Sequence, residues 1–103
     1  MKPLKVAICG GGRTGHLNAI LFKQLPDVLV SLLTSNLEVV DHHARQVPLQ
    51  ALLPDGRTLN ARLDRVTTEA RPAVEDADIV IITVPAHARA KTLQAIAPHL
   101  STS

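Results

Sequence analysis

Three glycines, Gly10, Gly12 and Gly15, separate an apolar run from a helix-like pattern in "VAICGGGRTGHLNAI", residues 6 to 20. Glycine loses more conformational freedom on folding than any other residue, so a cluster of them in an ordered connection needs a local reason. The run before them, Leu4 to Cys9, is short, apolar and stops at Gly10, as a buried strand feeding a tight turn does. From Thr14 onward Leu17, Ile20, Leu21 and Leu25 recur on one helix face, and Pro26 and Asp27 end the pattern. Val28 to Leu33, apolar and β-branched, then sits where a parallel strand returns after a helical crossover.

The glycines therefore fall inside a βαβ unit with the spacing G-x-G-x-x-G, the context in which this spacing marks a dinucleotide phosphate site. Gly10 allows the tight turn, Gly12 lets a pyrophosphate approach the backbone, and Gly15 lets the helix pack closely on the sheet. The helix N-terminus offers unpaired N–H groups and partial positive charge to the anion. A mononucleotide P-loop is excluded, since His16 stands where that pattern needs lysine.

Further along, residues 36–47 read as a short polar helix stopped before Pro48, and Pro54, Asp55 and Gly56 supply turn chemistry for a small hairpin within Leu49 to Leu63. Arg65 to Thr68 reads as a third core strand, followed by a short helical segment that includes Glu75 and Ala77. "DIVIITV", Asp78 to Val84, is the most apolar run and reads as a central strand ended by Pro85. Ala86 to Ala97 forms a last helix closed by Pro98. The expected fold is an α/β, Rossmann-type doubly wound parallel sheet in spatial order 3-2-1-4. Such a sheet normally continues beyond its fourth strand, so the chain reads as cut off after that strand and its helix.

With 103 residues the chain suits one core, and with 46% hydrophobic but 1% aromatic residues that core is built from Val, Ile, Leu and Ala. The formal charge of +2 is scattered, and with almost no aromatics for base stacking a nucleic-acid partner is not expected. Cys9 has no internal partner, no run approaches the roughly 20 apolar residues of a membrane span, and a reducing cytoplasm is the expected location. Among His16, His42, His43, His87 and His99 no metal-ligand spacing occurs, so no metal site is expected. His16 is close to any bound phosphate but suits helix packing, and His87 follows the Val84-Pro85-Ala86 turn near the crevice.

NAD-preferring sites place an acidic residue at the end of the second strand, about 20 residues past the glycines, to bind the ribose 2′-hydroxyl. Here that place holds Thr34, Ser35 and Asn36, whose hydroxyl and amide donors suit a 2′-phosphate, with Arg45 and Arg13 as candidate cations. The expectation is NADP(H), with NAD(H) as the alternative should Glu38 swing back to the ribose.

"GGGRTGHLNA" together with "DADIVIITVPAHA" resembles the cofactor domain of the opine dehydrogenase family, the octopine and nopaline type. That resemblance implies that Gly10, Gly12, Arg13, Thr14 and Gly15 line the pyrophosphate and that Val84, Pro85 and Ala86 run beside the nicotinamide ribose. It also implies an oxidoreductase that uses NAD(P)H to reduce the imine of an amino acid and a 2-oxo acid. Members of the family carry a second, mostly helical domain with the catalytic histidine. Residues 1–103 would thus be a partial N-terminal cofactor-binding domain, without catalytic residues and inactive alone. Ketopantoate reductases and 2-hydroxy acid dehydrogenases are similar enough to stand as alternatives. So does a nucleotide-sensing module with no chemistry.

Overall fold

The computed structural model describes residues 3–10 and 12–100, apart from the side chain of Arg13. The elements run β1 (Leu4–Cys9), α1 (Arg13–Lys23), β2 (Val28–Leu33), α2 (Leu37–Ala44), β3 (Leu49–Leu52), β4 (Thr58–Ala61), β5 (Arg65–Thr67), α3 (Ala70–Val74), β6 (Ile79–Ile82) and α4 (Ala86–Ile96). A 3₁₀ turn over Ala97–His99, with Pro98 inside it, follows directly on α4.

β5, β2, β1 and β6 form one parallel sheet in that order, the arrangement expected of the four core strands. The strand at residue 4 and the strand at residue 79 pair in parallel, with Val6 opposite Ile79 and Cys9 opposite Ile82. β3 and β4 make a separate antiparallel hairpin, pairing Leu49 with Ala61 and Leu52 with Thr58.

β1 shows why its sequence is apolar at every position after Lys5. Val6 and Ile8 enter the core shared with Ala19 of α1 and Val30 and Leu32 of β2, whereas Ala7 and Cys9 enter a second core with Ala73 and Val74 of α3 and Ile96 of α4. A strand buried on both faces leaves no place for a polar alternation. Each such branched side chain contributes roughly 1.5–3 kcal/mol by leaving water.

One side-chain device ties the amino end of the sheet and another caps the helix that leaves its carboxyl end. Lys23, in the last turn of α1, donates to the Val28 carbonyl at 3.0 Å and to Asp64 Oδ2 at 2.9 Å. Asp64 Oδ2 also accepts from the Val30 N–H at 2.7 Å, so one carboxylate joins α1, β2 and the exit of the hairpin. At the start of α2 the Asn36 side chain accepts from the Glu38 N–H at 3.0 Å, satisfying an otherwise orphaned donor.

Some sequence expectations are corrected here. α2 ends at Ala44, before the expected Val47, because Gln46 takes a left-handed φ of 65°. α3 stops at Val74; Glu75 is its extended C-cap and Asp76 has φ 62°, so Glu75 and Ala77 lie outside the helix. β6 is shorter than Asp78 to Val84; it takes the end position that the order 3-2-1-4 gives the fourth strand, at the edge of the described sheet, with Ile79 well exposed. Its unbroken apolar sequence signals contact with both flanking layers and says nothing of how many strands pair beside it.

Candidate functional site

The turn between β1 and α1 is held by contacts that only glycine permits at two positions. Gly10 adopts φ 142°, and a Cβ there would drive into the Thr83 hydroxyl and lie 3.1 Å from the Val84 nitrogen. A Cβ on Gly15 would collide with the Gly10 carbonyl oxygen and reach within 2.9 Å of Thr83 Oγ1. Thr83 completes this junction by donating its N–H to the Cys9 carbonyl at 2.9 Å, with its hydroxyl on the same oxygen at 3.3 Å. The chain leaving β6 is thus seated in the notch that the glycines leave between β1 and α1.

Gly12 differs from both. It is the N-cap of α1, its φ of −84° and ψ of −175° are open to any residue, and nothing lies within 4 Å of where its Cβ would be. Neither the backbone nor the surrounding atoms require glycine there. It sits exposed before the first turn of α1, whose leading N–H groups lack helical partners and whose first turn carries no acidic residue.

Beside this turn a crevice of about 650 Å³ runs along the carboxyl ends of β1 and β2, past the β5–α3 connection and against one face of α4. Gly10, Thr34, Ser35, Thr68, Val84 and Lys91 are among its lining residues. Among the described lining residues Lys91 carries the one full charge and none is acidic. Thr34 is buried, and its hydroxyl accepts from the Asn36 N–H at 3.1 Å, whereas Ser35 is exposed at the mouth.

The sequence-derived candidates divide accordingly. Gly10, Thr34, Ser35 and Val84 meet at the crevice, while Gly12 and Thr14 stand exposed at the start of α1 and Gly15 lies beneath the turn. Asn36 is turned to capping α2, Pro85 is the N-cap of α4, and Ala86 is its exposed first residue. The side chain of Arg13 lies outside the described residues. Arg45 is engaged at the far end of α2, its Nε 3.1 Å from Asp41 Oδ2, and does not reach the crevice. Glu38 lies exposed in the first turn of α2 and is likewise absent from the lining.

Sequence reading overlooked Lys91. Its signal was present in the spacing of Ala88, Lys91, Thr92 and Ala95, all of which line the crevice from a single face of α4.

Burial shapes the two titratable groups closest to the turn. The Cys9 thiol, fully enclosed in β1, is pushed up to about 11 by desolvation, so it is a small apolar side chain here. His16 in α1 has its pKa lowered by burial, and its Nε2 is enclosed with no hydrogen-bond partner. His87 is exposed in the first turn of α4. No group of three or more metal-ligating side chains occurs among the described residues, and no helix described is long and apolar enough to cross a membrane.

No family model matches the chain. It is 52% identical over 100 residues to a protein of Sinorhizobium fredii described as "Uncharacterized protein y4xO", covering 96% of this chain and 26% of that one. It is 31% identical over 107 residues to the octopine dehydrogenase of Mizuhopecten yessoensis, covering 97% of this chain and 27% of the relative. The chain thus spans about a quarter of the length of the curated relatives it matches. Among solved structures, octopine dehydrogenase with NADH and pyruvate superposes with a TM-score of 0.80 at 30% identity, over 95% of this chain and 27% of that one. The 2-dehydropantoate 2-reductase of Porphyromonas gingivalis shares the fold, with a TM-score of 0.73 at 21% identity over 98% of this chain and 36% of that one.

Proposed function

We propose, from the premise that this chain is a homologue of the N-terminal cofactor domain of the opine dehydrogenases, that it binds a nicotinamide dinucleotide for an oxidoreductase of that family. Gly12 carries the proposal: it is a glycine that the fold does not use, placed at a helix N-terminus where a Cβ would obstruct an approaching anion. The pyrophosphate rests on the turn from Gly10 to Gly15, including Arg13 and Thr14. The adenosine ribose lies toward Thr34, Ser35 and Asn36, and the nicotinamide side toward Val84, Pro85 and Ala86, at the carboxyl ends where open α/β sheets take ligands. The cofactor supplies the hydride; the chain's own residues bind and orient it.

In this reading residues 1–103 are the cofactor-binding part of an enzyme that reduces the imine of an amino acid and a 2-oxo acid. The groups that hold those substrates come from outside this chain. NADH and pyruvate are present together in the octopine dehydrogenase structure, which supports a cofactor and a small 2-oxo acid as the ligand pair. The lack of an acidic residue among the described lining residues supports NADP(H) over NAD(H). The likeness to the reductase from Porphyromonas gingivalis extends to the fold alone.

Calorimetric titration of the chain with NADPH, NADH and ADP-ribose tests this reading. Binding is expected, and it should be lost in Gly12→Ala with the fold intact. Failure of all three ligands at millimolar concentration would reduce the glycine turn to a structural connection.

A further inference from the structure

We infer that Lys91 is the residue through which this chain recognises a phosphate on the 2′-position of the adenosine ribose; this rests on the dinucleotide reading and extends it to a specificity-determining side chain. Charge and placement support it.

The crevice is polar along one wall, where Thr34, Ser35 and Thr68 follow the carboxyl ends of β2 and β5, and none of its described lining residues is acidic. Lys91 lines the same crevice from α4, on the helix face that also presents Ala88, Thr92 and Ala95. An ammonium in a concave site without a carboxylate raises the local potential and favours a doubly charged anion. Lysine suits this role as a compact point charge on a flexible stem, able to share a phosphate with hydroxyl donors of the same crevice.

Two cations near the crevice in sequence do not line it. Arg45 pairs with Asp41 on α2, and Arg65 donates from Nη1 to the Pro72 carbonyl at 2.8 Å, away from the crevice. The pyrophosphate has its own donors in the leading N–H groups of α1. Among the described lining residues, the charge that can distinguish a 2′-phosphorylated nucleotide from a plain one is that of Lys91.

ADP-ribose and 2′-phospho-ADP-ribose differ by that phosphate alone, so the pair isolates the role. Each is titrated calorimetrically into the chain, into Lys91→Gln and into Lys91→Arg, with thermal melts confirming that the exposed substitution leaves the fold unchanged. The expected result is about a tenfold or greater loss of affinity for the phosphorylated ligand in Lys91→Gln, corresponding to about 1.4 kcal/mol. Affinity for ADP-ribose stays within twofold, and Lys91→Arg restores most of the loss. An equal loss for both ligands would assign Lys91 to the pyrophosphate and overturn the inference, as would no loss for either. Failure of the unmodified chain to bind either ligand would overturn the dinucleotide reading itself.

Discussion

The α-carbon of Gly15 lies against the carbonyl oxygen of Gly10, so closely that a methyl group on Gly15 has nowhere to go. The obstacle is backbone, which cannot swing aside as a side chain could. Gly12, three residues earlier, has open space in the same direction. One short turn therefore contains a glycine needed for packing and one needed for nothing inside the chain.

Gly15→Ala should destabilise the fold by about 1–3 kcal/mol or more, the usual cost of forcing an added carbon into a packed site. Gly12→Ala should cost no more than about 1 kcal/mol, the loss of a modest N-cap, while weakening dinucleotide binding. Urea denaturation and ligand titration of both variants separate the two roles, and a large stability loss in Gly12→Ala would contradict the assignment.

Cys9 should behave as an inert core residue. With its thiol pushed up to about 11 by burial, it should resist an aromatic disulfide reagent at pH 8 and react fully once denaturant opens the chain. Rapid labelling without denaturant would mean that β1 opens locally.

The burial of His16 makes a pH prediction with a definite sign. Its folded pKa lies below the ordinary histidine value of 6.5, so the unfolded chain binds the proton first. The stability due to neutral His16 is complete above 6.5 and falls as the pH drops through the window beneath it. Denaturation midpoints at pH 8 and pH 5.5 should differ more for the unmodified chain than for His16→Asn. An equal difference in both would remove His16 as the source.

Asp64 should be worth more than an ordinary surface ion pair. Its carboxylate accepts from both Lys23 and the Val30 N–H, so Asp64→Ala leaves a part-buried backbone donor unsatisfied. A loss of about 1–3 kcal/mol in urea unfolding is expected. A loss below 0.5 kcal/mol would indicate that water takes over both bonds, as at an exposed pair.

Ser35→Asp should shift nucleotide preference toward NADH by placing a carboxylate at the mouth of the crevice. NADPH affinity should fall at least about fivefold, near 1 kcal/mol, while NADH affinity holds or improves. Parallel fluorescence titrations decide it, and an unchanged ratio would show that the ribose lies elsewhere.

Much of this architecture was legible because the sequence features are local. The boundaries of β1 and β2 and the hairpin turn at Pro54, Asp55 and Gly56 follow from apolar runs cut by glycine and proline, and parallel order follows from the crossovers between them. The short span of β6 was not legible, because an apolar run reports burial against layers and not where strand pairing stops. The early end of α3 was hidden for a different reason: Asp76 takes a left-handed conformation that its residue type permits but does not announce. Arg45 was a reasonable cation by sequence distance, yet helix geometry spends it on Asp41 four residues away. Lys91 lay far from the second strand in sequence, and only the return of α4 along the sheet brings it to the crevice.

The hairpin of β3 and β4 has a practical side. Its root is tied to the end of α1 by Gln24, whose amide donates to the Asn60 carbonyl at 3.3 Å, and by the buried Ala61 and Leu63. Its tip, from Pro54 to Arg57, is exposed throughout and contributes nothing to the crevice lining. Exposed tips of this kind accept extra residues at small cost, since closing a longer loop adds only about 0.6 kcal/mol per doubling of its length. An affinity tag or fluorophore-bearing segment spliced after Asp55 would therefore give a handle for immobilising or tracking the chain while leaving its ligand-facing side unencumbered.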